Sequence, residues 1–132
     1  FTAHSLPERM IAQGDPYADQ LSATAGEVAD RLGLHNWRLA YQSVSGAARE
    51  PWLGPSVEQV MEQLAADGAT SVLVDPIGFI SDHVETLYDN DIEHQSQARA
   101  MGLDFYRCRC LNLHPGLIGT LADLVIATAD HG

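Results

Sequence analysis

Three carboxylates, Glu85, Asp89 and Glu93, recur at i, i+4 and i+8 in the segment Glu85-Thr-Leu-Tyr-Asp89-Asn-Asp-Ile-Glu93. On a helix that spacing puts them along one face, with adjacent members close in space. Like charges so placed repel. A divalent cation moving along the row would relieve the repulsion, because hard cations favour carboxylate oxygen. A solvated acidic face is the plainer alternative. Glu85 begins the row near the start of its helix, where an ionised acid gains from the helix dipole. Apolar neighbours such as Phe79 and Ile80 would instead favour its neutral form. Either state serves proton transfer.

His4 is the second chemical candidate. It ends a strand after small Thr2 and Ala3 and precedes Ser5-Leu6-Pro7. A neutral imidazole there can take a proton or bind a transition metal, and a purely structural hydrogen-bonding role is equally open. Trp52, in Glu50-Pro51-Trp52-Leu53-Gly54-Pro55, could stack on a flat ligand or fill the core. Tyr41, Gln42 and Ser43 offer hydrogen bonds at a pocket rim. His83 is either a further metal-site residue or a helix-terminus partner. His35, His94, His114 and His131 read as structural or surface residues. Cys108 and Cys110 flank Arg109 in a strand, so both thiols face one side. With no further cysteine for a four-ligand site, they read as buried and inert.

These residues need elements to position them. Strands are expected at Phe1 to His4, Trp37 to Ser43, Ser71 to Asp75 and Phe105 to Leu111. The third is a continuous apolar run, as for a strand buried on both faces. Helices alternate with them. One follows Asp15-Pro16, carries Leu21, Ala25, Val28, Ala29 and Leu32, and stops at Gly33. The next is capped by Ser56 and carries Val57, Val60, Met61 and Leu64 up to Gly68. A long helix spans roughly Asp82 to Met101, and a last one starts at Pro115 and runs through Leu117, Leu121, Leu124 and Val125. Such alternation predicts an α/β domain of three layers, a four-stranded parallel sheet with helices on both faces. In these sheets ligands bind beyond the carboxyl ends of the strands, where His4, Ser43, Asp75 to His83 and Asn112 to His114 all fall.

The chain has 132 residues, enough for one domain, and a formal charge of −11 with all seven of its cations arginine. That balance argues against a nucleic-acid partner, which needs clustered cations. No apolar run is long enough for a transmembrane span. Two cysteines one residue apart and no sign of a disulfide framework fit a cytoplasmic protein. There is no Gly-rich phosphate loop, His-Glu-x-x-His pair or Gly-x-Ser-x-Gly elbow. The chain opens at Phe1, already inside a strand, so a preceding segment is expected.

Seven strings in order resemble ferrochelatases: Thr2-Ala3-His4-Ser5-Leu6-Pro7, Gly14-Asp15-Pro16-Tyr17, Tyr41-Gln42-Ser43, Pro51-Trp52-Leu53-Gly54-Pro55, Pro76-Ile77-Gly78-Phe79, Ser81-Asp82-His83-Val84-Glu85-Thr86-Leu87-Tyr88 and Leu111-Asn112-Leu113-His114-Pro115. The resemblance runs nearly end to end but matches only the C-terminal half of that family. It implies that residues 1–132 form one of two similar lobes closing around a porphyrin, that the N-terminal lobe lies outside this chain, and that this half alone is inactive. It implies insertion of Fe²⁺ into a porphyrin in haem synthesis, with iron and porphyrin as substrates and no required cofactor; no iron–sulfur cluster carries over. By position, His4 matches the pocket histidine credited with metal binding or proton abstraction, and Glu85 the glutamate facing it. Asp89 and Glu93 match the acidic line tied to metal delivery or proton removal, on a helix with π character. Ser43 and Trp52 match substrate-lining positions. The Leu87-Tyr88-Asp89-Asn90-Asp91 wording favours the coproporphyrin III branch over protoporphyrin IX. Val44 to Glu50 departs from the family pattern, which leaves substrate contacts near Arg49 open. Two rivals are a small homodimeric chelatase of the cobalt or sirohydrochlorin type and a non-catalytic porphyrin or metal carrier.

Overall fold

A computed structural model describes residues 1–44 and 50–130; Arg49 and His131 lie outside the described residues. The first strand, β1 (Thr2–His4), is followed by a short helix, α1 (Glu8–Ala12). Helix α2 (Tyr17–Leu32) starts where Asp15 accepts the Tyr17 N–H at 2.9 Å. It ends on Gly33 at φ 65°, a left-handed residue that costs glycine little. Strand β2 (Ala40–Gln42) pairs parallel with β1, setting Ala3 beside Tyr41 and His4 beside Gln42. Helix α3 (Val57–Ala66) carries the expected Ser56 cap, completed as a capping box by Gln59. Strand β3 (Ser71–Val74) pairs parallel with β4 (Asp104–Arg107). The expected long helix is continuous but not uniform. It comprises α4 (Val84–Tyr88), a π-helical segment Asp89–His94, and α5 (Gln95–Ala100). The last helix, α6 (Pro115–Ala129), begins on Pro115 as expected.

Where the sequence predicts a single four-stranded sheet, the structure forms two two-stranded parallel pairs, β1–β2 and β3–β4. The strands are shorter than expected: β2 begins only at Ala40, and β4 ends at Arg107, so Cys108 and Cys110 lie beyond it and not in a strand. The pairs are still stitched together: Thr2 N–H donates to the Asp75 carbonyl at 2.8 Å, and Gly78 N–H donates to the Thr2 carbonyl at 3.1 Å. Nor is β3 buried on both faces, for Val74 is buried while Leu73 is 65% exposed. Helix α6 buries none of its residues. Its residues are exposed or, like Leu117, half-buried, so none of them joins the buried core.

Two apolar clusters make the core. One joins Ala40, Val57, Met61, Ala98 and Leu103, locking α3 and α5 onto the strands. The other joins Ala3, Leu21 and Tyr41 under α2. Between β1 and the loop after β3 the backbones meet at Gly78, where an added Cβ would lie 2.5 Å from the Ala3 Cβ and 2.8 Å from its Cα. Neither atom can move without shifting β1. Gly78→Ala is therefore expected to cost about 1–3 kcal/mol, the usual scale of overpacking. A urea midpoint equal to that of the parent protein would refute the close approach.

Candidate functional site

Strand β1 delivers His4 to the carboxyl edge of the β1–β2 pair, and several bonds hold it there. Tyr17 Oη donates to the His4 carbonyl at 2.8 Å, and Ser5 N–H donates to the Gln42 carbonyl at 2.8 Å. Buried Ser5 Oγ donates to the Leu53 carbonyl at 2.8 Å, tying in the loop that carries Trp52. The imidazole uses both nitrogens: Nδ1 lies 2.5 Å from the Ser5 carbonyl and Nε2 lies 3.2 Å from Glu85 Oε1. A carbonyl only accepts, so Nδ1 carries hydrogen. In the neutral ring Nε2 is then a bare acceptor facing a carboxyl group. A single proton shared between His4 Nε2 and Glu85 would join the two groups. Both side chains are roughly two-fifths exposed, at 38% and 43%, so they border open space rather than core.

Glu85 stands in the first turn of α4, and Asp89 and Glu93 follow along the π segment. In a pure α-helix each four-residue step drifts by about 40° around the axis. A π turn is wider, with i to i+5 bonding, and so opposes that drift and keeps the row aligned. Asp89 Oδ2 accepts from Gln42 Nε2 at 3.2 Å and also from Ser43 Oγ. Ser43 sits at φ 64°, in the left-handed region that non-glycine residues rarely occupy. Glu93 is exposed. A cavity of about 310 Å³ opens beside the row, lined by Gln42, Ser43, Glu58, Asp89, Glu93 and His94. The expected metal set, His4, Glu85, Asp89 and Glu93, therefore forms a line. Among the described residues no three His, Cys, Asp or Glu side chains converge to hold a metal ion.

The remaining candidates separate. Trp52 is half-buried with its ring 6.5 Å from that of His4 and tilted 43° to it, at the site's rim. Its buried Nε1–H has no partner among the described residues. His83 is a helix-terminus partner: it precedes α4, and its Nε2 lies 3.0 Å from Thr86 Oγ1. Cys110 is buried and Cys108 partly so, both free, and burial pushes both thiols up, Cys110 to about 11. At neutral pH they stay protonated and weakly nucleophilic.

Two features went unread in the sequence. Thr86, Asn90 and His94 form a second i, i+4, i+8 row, one residue after the acids and buried to 0%, 0% and 3% exposure. His94 Nε2 lies 3.5 Å from Glu58, and bonding to this histidine, above all, holds the Glu58 carboxyl down at about 2. The other is a clamp at the head of the acidic helix. Asp82 N–H donates to Asn112 Oδ1 at 2.9 Å, Asn112 Nδ2 returns a bond to Asp82 Oδ2 at 2.9 Å, and Arg107 reaches Asp82 at 2.9 Å and Asp91 at 2.6 Å. Uncharged polar residues repeating at helical spacing beside a row of acids were the available signal for the first. No local pattern announces the second.

A strand-tip imidazole facing a glutamate, with acids lined up behind it at the carboxyl edge of parallel strands, makes up the candidate site of this α/β domain. The ferrochelatase family's sequence model matches residues 1–129, and the chain belongs to that family. It is 47% identical over 125 residues to a ferrochelatase of Herpetosiphon aurantiacus, an alignment covering 95% of this chain and 41% of that one. It is 44% identical over 126 residues to a coproporphyrin III ferrochelatase of a Geobacillus species, covering 95% of this chain and 40% of the relative. A ferrochelatase of Deinococcus radiodurans is 47% identical over 126 residues, with 94% and 40% covered. The chain thus spans about two fifths of the length of the curated relatives it matches. No helix among the described residues is long and apolar enough to cross a membrane.

Proposed function

We propose that this chain is the C-terminal lobe of a cytoplasmic ferrochelatase, working with a second lobe to insert Fe²⁺ into a porphyrin. Family membership supports the activity. The observation that carries the assignment of roles is the 3.2 Å approach of His4 Nε2 to Glu85 Oε1 at the mouth of the acidic line. The bonds from Thr2 to Asp75 and from Gly78 to Thr2 support a lobe in which the two strand pairs act as one four-stranded layer, ordered β2-β1-β3-β4.

Metal insertion replaces two pyrrole N–H protons by one Fe²⁺, so two protons must leave as the metal enters. His4 and Glu85 form the group that takes them, passing a proton across the contact they already share. Asp89 and Glu93 continue the path outward, drawing the cation in or the protons out through carboxylate oxygen. Ser43 orients Asp89, and Trp52 borders the macrocycle. A pocket that holds the ring bent exposes its nitrogen lone pairs and lowers the barrier. No resident cofactor or iron–sulfur cluster is needed for this chemistry.

Coproporphyrin III is the favoured substrate. The test is metallation of coproporphyrin III and protoporphyrin IX by the whole protein with Fe²⁺ or Zn²⁺, followed by absorbance. Faster turnover of coproporphyrin is expected; no turnover of either would overturn the assignment.

A further inference from the structure

Gln42 is 3% exposed at the end of β2, paired in register with His4. Its carbonyl accepts from Ser5 N–H at 2.8 Å. Its side-chain amide points the other way, into the acidic helix. Nε2 donates to Asp89 Oδ2 at 3.2 Å, and Oε1 accepts from Asn90 Nδ2 at 3.5 Å. Asn90 is wholly buried and also donates to the Thr86 carbonyl at 2.8 Å. One residue therefore bridges the strand edge that holds His4 and the π segment that holds Asp89.

The amide suits this place for two reasons. It offers a donor toward a carboxylate and an acceptor toward an amide, so both bonds fix its orientation. It is also neutral. A lysine or arginine could hold Asp89 as firmly, but would cancel the charge that attracts a cation. Gln42 and Ser43 both engage Oδ2, leaving Oδ1 without a hydrogen bond among the described residues.

We propose that Gln42 is a positioning residue for metal transfer, holding Asp89 by one oxygen so that the other faces the entering cation. The inference rests on the ferrochelatase assignment above. It predicts a defect in metal use without a defect in porphyrin use.

The test is Zn²⁺ insertion by the whole protein carrying Gln42→Leu or Gln42→Glu, with the KM for Zn²⁺ and for porphyrin measured separately. Gln42→Leu removes both bonds at similar volume. Gln42→Glu keeps the size and the acceptor toward Asn90 but turns the donor facing Asp89 into an acceptor. Both variants are expected to raise the KM for Zn²⁺ roughly tenfold, as loss of a hydrogen bond to a charged group would, while the porphyrin KM and the circular dichroism spectrum stay as in the parent. An unchanged KM for Zn²⁺ in either folded variant overturns the proposal. So does a lower one in Gln42→Glu, which would mean that added negative charge, not the position of Asp89, governs the metal. Should Gln42→Leu not fold, Gln42→Glu decides alone. Absence of turnover in the parent protein would count against the ferrochelatase assignment itself, whereas an active parent matched by both variants sinks only the role of Gln42.

Discussion

Replacing Glu85 by glutamine in the whole protein is expected to slow porphyrin metallation by roughly 10²- to 10⁴-fold, the range spanned by positioned acid–base groups. His4→Ala should fall in the same range. The argument is one of shape against charge. In Glu85→Gln the new amide would keep the volume of the side chain and could still meet His4 Nε2, which lies 3.2 Å from the carboxyl in the parent. It could neither receive a pyrrole proton nor balance an imidazolium. With Nδ1 engaged by the Ser5 carbonyl, His4 has only Nε2 to offer, and that nitrogen faces the altered group. The loss should appear in kcat, with the porphyrin KM changing by less than about threefold, as expected when an interaction serves the transition state and not binding. Kinetics with coproporphyrin III and Zn²⁺, each varied in turn, would check it. Rates near those of the parent in either variant would remove both residues from the mechanism.

Asp82→Asn is expected to destabilise the fold by about 1–2 kcal/mol at neutral pH. The carboxyl of Asp82 is held down at about 2, first by the bond from Asn112, then by contacts with Cys110 and Arg107, and its side chain is 19% exposed. A carboxyl depressed from an unfolded value near 4 to about 2 stabilises the folded state by roughly 1.4 kcal/mol for each unit of difference. Solvent at the edge of the clamp screens part of that gain. The sign follows from proton uptake. Unfolding raises the affinity of this group for protons, so its contribution is complete above about pH 5 and drains away as pH falls through about 2. Urea midpoints of parent and variant should therefore differ clearly at pH 7 and converge toward about pH 2. A gap that is constant over this range would mean that Asp82 acts by packing alone.

The consequences of losing this clamp reach the site. Asn112 sits at φ 51°, a left-handed position its side chain helps to stabilise by reciprocal bonding with Asp82. Arg107 links the same aspartate to Asp91 inside the π segment. The head of the acidic helix is thereby anchored to β4 and the loop behind it.

Several of these features could be read from the residues in order. Periodicity located α2, α3 and α6, and punctuation by Ser56, Gly33 and Pro115 placed their ends, because caps are local chemistry. The facing of His4 and Glu85 is implied by the resemblance to ferrochelatases; their places at the end of β1 and the start of α4 give only a common edge of the sheet. The i, i+4, i+8 spacing announced the acidic row. Other features were out of reach. The splitting of the sheet into two pairs depends on where flanking residues turn away, and an apolar run such as Ser71 to Asp75 looks the same whether one face or both are covered. Leu73, exposed in this chain, reads as core. Asp82, Arg107 and Asn112 are scattered over the chain, and only folding makes them neighbours.

The order of residues dictates which side chains are available and on which turn of which element they stand, since helical and strand periods follow from backbone geometry. Which atoms meet is set by packing in three dimensions: His4 Nε2 with Glu85, Gln42 with Asp89, Asp82 with Asn112. Such contacts depend on how distant segments pack, on small offsets that no local spacing encodes. Proton transfer and carboxylate bonding act over single hydrogen-bond lengths, so offsets of that size decide what the proposed site can do.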